Sequence, residues 1–257
     1  MRYNKLLHIT VAMLSTGITT TLGACARPKA VVYRGPASCE GCPESVADLL
    51  RSSPSHFKVV FAGPHEDVDV TEETLKDATV YAHGGGDDQE TAYRQTKKYQ
   101  PAIQEFVKSG GHYIGICLGA YLAGHSDGYG FLPKGAETDQ EITQHGAQVK
   151  TEDDTIIQVD WTFKSGRTEK RRWAYFQDGV VIKGLNDKSP GRVIGRYSKN
   201  GDVAAYITPY GKGSVGLVGI HPEADKEWYE DEGISNPEGV KFDIGYDFIE
   251  ATLNGGR

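Results

Sequence analysis

His112-Tyr113-Ile114-Gly115-Ile116-Cys117-Leu118-Gly119-Ala120-Tyr121 is the stretch that decides the fold. Its first half, His112 to Ile116, is a short apolar run that reads as a buried strand. From Leu118 to Gly124 the residues can begin a helix. A cysteine at that junction sits on a sharp turn, where the flanking Gly115 and Gly119 permit close backbone approach or a positive φ. It also stands at a helix N-terminus, whose unpaired N–H groups favour the thiolate. By itself, a Gly-x-Cys-x-Gly run equally fits a strand–helix turn with an inert, buried cysteine.

A second segment changes that reading. Gly219-Ile220-His221-Pro222-Glu223 closes the apolar run that begins at Ser214. Pro222 biases His221 away from the αR region, so the tripeptide is expected to be extended. Side chains at i and i+2 of an extended chain share a face, which lets His221 and Glu223 point at one site. Thiol, imidazole and carboxylate form a complete set for cysteine-based acyl transfer. Cys117 is then the nucleophile, His221 the base and Glu223 the group that orients it. His-Pro-Glu alone is a common surface turn; the two segments together, each after a strand, make a candidate site.

Outward from these segments, strand and helix patterns alternate. Val31 to Tyr33, Phe57 to Phe61, Thr79 to Ala82 and His112 to Ile116 read as strands. Val46, Leu49 and Leu50 mark one helix face, Thr71 caps a short helix carrying Leu75, and Ile103, Phe106 and Val107 mark a helix that stops at Ser109-Gly110-Gly111. This alternation predicts a parallel sheet with right-handed crossovers, whose sites form at the carboxyl ends of the strands. His83-Gly84-Gly85-Gly86 falls at such an end, one strand from Cys117. Glycine N–H groups there can approach a developing negative charge with no Cβ in the way. The run lacks the Lys-Ser/Thr ending of a phosphate loop. Asp87, Asp88 and Tyr93 follow it, as a helix cap or as pocket lining, and His125-Ser126-Asp127 reads as a loop. After Gly128, Ile156 to Trp161, Trp173 to Phe176, Val193 to Tyr197 and Val203 to Thr208 read as short antiparallel additions. A helix around Phe248, Ile249 and Leu253 closes the chain.

At Ala30-Val31-Val32-Tyr33, His83-Gly84-Gly85-Gly86-Asp87, Gly115-Ile116-Cys117-Leu118-Gly119-Ala120-Tyr121 and His221-Pro222-Glu223 the sequence resembles the class I glutamine amidotransferase-like superfamily. Within it, the sequence is most similar to the N-terminal domain of fungal biotin-protein ligases. The resemblance implies an α/β, flavodoxin-like, doubly wound and mostly parallel sheet, with helices on both faces and antiparallel additions in the C-terminal half. It implies Cys117, His221 and Glu223 as the catalytic residues, and an oxyanion hole formed by Gly85 with the N–H of Leu118. Gly84, Gly86 and Tyr121 are candidate substrate contacts, though Tyr121, one turn into the nucleophile helix, equally fits packing against the sheet. Ala120 and Tyr121 stand where glutamine-using relatives carry His-Gln, so an amide other than glutamine is admitted. No Gly-Arg-Gly-Arg biotin-loop motif occurs, and biotin ligase activity is not expected.

Composition bounds the rest. The chain has 257 residues, of which 38% are hydrophobic, enough for one sizeable α/β core. A formal charge of −7 and the lack of a basic stripe argue against a nucleic-acid groove. The basic cluster from Arg167 to Arg172 reads as a solvated hairpin face. Arg2 and Lys5 precede an apolar stretch, Leu6 to Leu22, ending in Ala24-Cys25-Ala26. That is the layout of a signal peptide, residues 1–26, cleaved to leave a single domain, residues 27–257. Leu22-Gly23-Ala24-Cys25 also resembles a bacterial lipoprotein site, which would anchor the chain through Cys25. Cys39 and Cys42 flank two residues just before a helix with Pro43 in its first turn. In an oxidising compartment they are expected to pair, leaving Cys117 as the lone thiol; a redox Cys-x-x-Cys is the alternative, and a zinc site has no second ligand pair.

The reading that follows is a secreted Cys–His–Glu amidase or hydrolase that forms a thioester at Cys117. It acts on a small-molecule or peptide amide, with no cofactor, no metal, no nucleic-acid partner and no membrane association after leader cleavage. Two other classes compete: a non-catalytic binding module with a vestigial site, and a redox sensor working through the reactive thiol.

Overall fold

The computed structural model describes residues 26–255. The expected leader, residues 1–26 with Cys25, lies outside the described residues apart from Ala26. The first half alternates β1 (Lys29–Tyr33), α1 (Cys42–Ser52), β2 (Lys58–Ala62), α2 (Glu72–Leu75), β3 (Val80–His83), α3 (Gln89–Thr96), α4 (Gln100–Ser109), β4 (His112–Ile116) and α5 (Leu118–Tyr121). The second half is strand-rich: β5 (Glu137–Gln140), β6 (Thr155–Thr162), β7 (Thr168–Phe176), β8 (Val180–Lys183), β9 (Arg192–Tyr197), β10 (Val203–Tyr210) and β11 (Gly213–Val218). Two helices follow, α6 (Lys226–Asp231) and α7 (Asp243–Leu253).

One sheet joins all eleven strands in the order β2-β1-β3-β4-β11-β10-β9-β6-β7, with β8 and β5 branching from β10. The pairs β2–β1, β1–β3, β3–β4 and β4–β11 are parallel. Those five strands therefore run in the 2-1-3-4-5 order of a flavodoxin-like sheet. From β11 to β10 the direction reverses, and β10, β9, β6 and β7 add on antiparallel. This is the expected α/β architecture, with its parallel half first.

Burial on both faces explains why β1 is apolar throughout. Ala30 and Val32 face one layer with Val46, Leu50 and Phe248, while Val31 and Tyr33 face the other with Leu75, Ile103 and Val107. Helices α1 and α7 cover the first face, α2 and α4 the second. In α1 the i, i+3, i+4 stripe of Val46, Leu49 and Leu50 is buried, Pro43 opens the first turn, and Ser53 before Pro54 ends the helix. A wholly buried ring such as Phe248 contributes about 2–3 kcal/mol by leaving water.

Four elements, α3, β5, β8 and α6, were not read from the apolar pattern. In α3 only Ala92 and Thr96 are buried, so no apolar stripe marks it; Asp88 caps it by accepting from the Thr91 N–H at 2.7 Å. Strand β5, Glu-Thr-Asp-Gln, is polar, while β8 and α6 are short. One expectation is corrected at the β6–β7 hairpin: Arg172 is 8% exposed, not solvated. It points inward onto Glu169, Glu238 and Asp243 and ties β7 to the start of α7. No helix among the described residues is long and apolar enough to cross a membrane.

Candidate active site

Three neighbouring parallel strands end together. The register places His83 beside Gly115 and Ile116 beside Val218, so the chain leaves β3, β4 and β11 at one rim of the sheet. Gly84 to Gly86 follow β3, Cys117 follows β4, and His221 lies three residues past β11. The Cys117 N–H still donates to Val218 O at 2.9 Å, which fixes the turn against the next strand.

Cys117 has φ 50° and ψ −111°, a conformation that side chains other than glycine rarely adopt. Such backbone strain costs on the order of 1–3 kcal/mol and persists where the surroundings enforce it. Here close packing enforces it. Gly119 lies against the backbone oxygen of His83 and Gly115 against that of Gly119, so a β-carbon at either would overlap backbone. Gly119 N–H also donates to Gly84 O at 3.0 Å, tying the cysteine turn to the glycine loop. The N–H groups of Gly85 and Leu118 have no main-chain acceptor among the described residues, and Leu118 begins the single turn of α5.

His221 is 3% and Glu223 1% exposed. The imidazole Nδ1 lies 2.9 Å from Glu223 Oε1. The expected contact is present, but its route is not the extended one. Ala224 N–H donates to His221 O at 3.2 Å, so His221-Pro222-Glu223-Ala224 forms a turn. Proline fits the second position of a turn because its ring presets φ, and the turn folds Glu223 back under the ring.

Among the described residues Nε2 makes no well-aligned hydrogen bond, while Cys117 acts on the same ring through its charge and as a hydrogen-bonding group. Catalytic hydrogen bonds are often loose before substrate binds. Burial works against the imidazolium, yet Cys117 and Glu223 together outweigh it and hold the His221 pKa well above the usual histidine value.

The walls were not anticipated from sequence. His221 N–H donates to Tyr175 O at 2.9 Å, and the rings of Tyr175 and Trp228 stand 6.1 and 5.2 Å from the imidazole. Trp228 is presented by α6, which Asp225 caps by accepting from the Glu227 and Trp228 N–H groups. That Asp followed by Lys-Glu-Trp was the available signal.

The expected pair Cys39–Cys42 is a disulfide, and Cys117 is the free cysteine among the described residues. Cys39 N–H donates to Gly85 O at 3.1 Å. His83, just before the glycine loop, is buried, stacks on Tyr33 at 4.5 Å and hydrogen-bonds Ala37 O at 2.9 Å. Burial pushes its pKa down to about 4, so it supports the loop as a neutral ring.

Cys117 is only 6% exposed, but it lines an open cavity of about 620 Å³ with Gly86, Leu118, Tyr121, Gln140, Gln177 and Asp178 among its walls. The thiol donates to Gln177 O at 3.6 Å, and the Tyr121 hydroxyl donates to Asp178 O at 3.0 Å. Tyr121 thus faces the cavity, together with Gly86; Gly84 packs instead toward Val46 and Cys42. A second cavity of about 630 Å³, between α2 and α4, lies at the amino end of β4, and no cysteine or histidine is among the described residues that line it.

The fold is similar to that of class I glutamine amidotransferase-like structures. Residues 29–137, from β1 into β5, match the family described as "Biotin-protein ligase, N terminal". The match includes the glycine loop and Cys117 and stops before His221 and Glu223. Among solved structures, PurLQS from Thermotoga maritima is similar, with a TM-score of 0.59, 18% identity, and 89% of this chain and 99% of that chain covered. A candidate GMP synthase protein from Thermoplasma acidophilum aligns at 0.54, with 13% identity over 90% and 94% of the two chains. A candidate ThuA-like protein from Bacteroides uniformis aligns at 0.53, with 12% identity over 92% and 94%. These likenesses establish the fold. No curated protein matches the sequence.

Proposed function

We propose that the protein is a cysteine-dependent amidase or hydrolase acting on a small-molecule or peptide amide, exported by the leader read in residues 1–26. The observation that carries this reading is the buried His221, bonded through Nδ1 to Glu223, with Cys117 and Glu223 raising its pKa across the rim.

In the first half-reaction Cys117 Sγ attacks the amide carbonyl carbon, and the negative charge on oxygen meets the N–H groups of Gly85 and Leu118. The C–N bond then breaks, the leaving amine takes a proton from the His221 imidazolium, and a thioester remains. In the second, neutral His221 takes a proton from water, hydroxide adds to the thioester, and the C–S bond breaks to give the carboxylic acid and the Cys117 thiolate beside the His221 imidazolium. Glu223 holds the ring tautomer throughout, as the acidic member of a triad does. The free N–H groups, the strained turn at Cys117 and the open cavity all support this assignment.

The test is a screen of glutamine, other primary amides and peptides against wild type and Cys117→Ala, with iodoacetamide labelling of Cys117 in parallel. Hydrolysis abolished in Cys117→Ala, with labelling slowed in His221→Ala, is the expected result. Labelling no faster than that of a free peptide thiol would sink the reading.

A further inference from the structure

The cavity in front of Cys117 is lined by charge of one sign. Five acidic residues line it, Asp87, Asp88, Asp139, Glu152 and Asp178, and among the described residues no lysine or arginine does. None of the five forms an ion pair among the described residues. Two are occupied locally. Asp88 caps α3, and Asp139 accepts from the Gln140 N–H and from Gln144 Nε2, each at 2.9 Å.

Asp178 differs. Its Oδ2 accepts from Gln140 Nε2 at 2.8 Å, but its Oδ1 is shut away from solvent with no donor among the described residues. Its main-chain oxygen is held by the Tyr121 hydroxyl, and the oxygen of Gln177 before it receives the Cys117 thiol. The unsatisfied carboxylate oxygen is therefore anchored one residue from the nucleophile's own contact. A buried acceptor without a donor is rare; closed off as it is, Oδ1 acts on the cavity through its charge and not as a direct contact. Burial also raises the Asp178 pKa, partly offset by the Gln140 hydrogen bond and reinforced by the charge of Glu152. A cationic neighbour would reverse that cost.

We propose that the substrate of this site carries a positive charge close to its scissile amide, as an amine or guanidinium, and that Asp178 selects it. The inference rests on Cys117 being the nucleophile and adds the class of molecule it attacks. Free glutamine carries an α-ammonium and an α-carboxylate together, so the wall attracts one group and repels the other and gives it no net advantage. A peptide or amide bearing a basic group is favoured.

The test uses the full-length chain and three thiosulfonates of one reaction type. They are cationic 2-(trimethylammonio)ethyl, anionic 2-sulfonatoethyl and neutral methyl methanethiosulfonate. In each case the Cys117 thiolate attacks the sulfenyl sulfur, a Cys117–S–S–R bond forms, and the S–SO₂ bond breaks to release methanesulfinate. Peptide mass spectrometry separates Cys117 from Cys25. The cationic-to-anionic rate ratio at Cys117 should exceed that of free cysteine by about tenfold, the low end of electrostatic focusing in a charged cleft, and should shrink with added salt. Asp178→Asn should lower the ratio, with the neutral reagent correcting for any change in thiol reactivity. Glu152→Gln, at an exposed wall position, provides a second variant. A ratio equal to that of free cysteine, or favouring the anion, overturns the inference and leaves the thioester reading standing, provided the neutral reagent still reacts fast. A preference unchanged in Asp178→Asn removes the role of Asp178. A neutral reagent no faster than on free cysteine removes both readings.

Discussion

Gly85 faces His221 so closely that a β-carbon on it would stand 3.0 Å from Cε1 of the ring, 3.1 Å from Cys42 Sγ and 3.3 Å from Cys39 Sγ. The glycine loop, the histidine and the disulfide thus share one packing contact. Movement of any of them is felt by the others, because tightly packed interiors transmit small displacements.

Gly85→Ala follows directly. The φ of Gly85 lies outside the left-handed region, so the change adds a contact and no backbone strain. The neighbours must yield by a few tenths of an ångström, for a stability loss of about 1–3 kcal/mol typical of overpacking. Activity should fall much further, by about 10²-fold, because one proposed oxyanion donor and the base shift together. Thermal melting and amide hydrolysis on the same samples separate the two effects; a large loss of stability with normal turnover per folded molecule would contradict the assignment.

Removing the disulfide should act in the same way. Cys39 and Cys42 close a very short loop, so the chain-entropy contribution is about 2 kcal/mol. The Cys39→Ser, Cys42→Ser double variant should keep its fold. Alkylation of Cys117 should slow several-fold, since the Cys39 N–H bond to Gly85 O loses its anchor. Identical alkylation rates in the oxidised and double-serine proteins would show that the disulfide acts only on stability.

Glu223→Gln tests the charge balance around His221. Burial lowers the affinity of the ring for its proton, and Cys117 and Glu223 restore it. Deleting the Glu223 charge should therefore move the His221 titration to lower pH, read from imidazole nitrogen shifts by NMR. The linkage has a definite sign. A raised folded-state pKa stabilises the fold fully below the ordinary histidine value, about 6.5, and that contribution fades as pH rises through the folded value. In Glu223→Gln this stabilisation should shrink. A His221 titration left in place would mean the carboxylate does not hold the imidazolium.

Glu141 makes the opposite kind of prediction. It is wholly buried, with Oε1 accepting from Asn200 Nδ2 at 2.7 Å and Oε2 without a partner among the described residues. Burial pushes its pKa up to about 7, with the Asn200 bond opposing and the Asp202 charge adding to the rise. Between about pH 4.5 and 7 the unfolded chain has released a proton that the folded chain keeps, so stability falls as pH rises through that window. The cost above it is on the order of 3 kcal/mol. Glu141→Gln should therefore raise the melting temperature at pH 8 and leave it nearly unchanged at pH 4.5. A variant less stable than wild type at both pH values would refute this.

Some of this molecule could be read along the chain and some could not. The parallel half was legible because each of its strands is apolar on both faces and each of α1 and α4 carries a stripe at helical spacing. The turn at Cys117 was legible because glycines flank a cysteine after such a strand, but only the second segment, His221-Pro222-Glu223, set it apart from an inert buried cysteine. Helix α3 and strand β5 were not, since their residues are polar and their stability comes from neighbours. The His221–Glu223 contact was anticipated, but through an extended segment where the chain in fact turns. Arg172 looked solvated because its three carboxylate partners, Glu169, Glu238 and Asp243, lie in separate segments.

Local order along the polymer determined which side chains end the parallel strands: the glycine loop, the thiol and the imidazole. A strand's length, its apolar faces and the residue at its end are short-range properties. Tertiary structure alone decided what surrounds them: the disulfide against Gly85, the aromatic rings beside His221, and the five carboxylates before Cys117. Those groups come from segments remote in sequence, and only the crossovers and strand register bring them within range of one another.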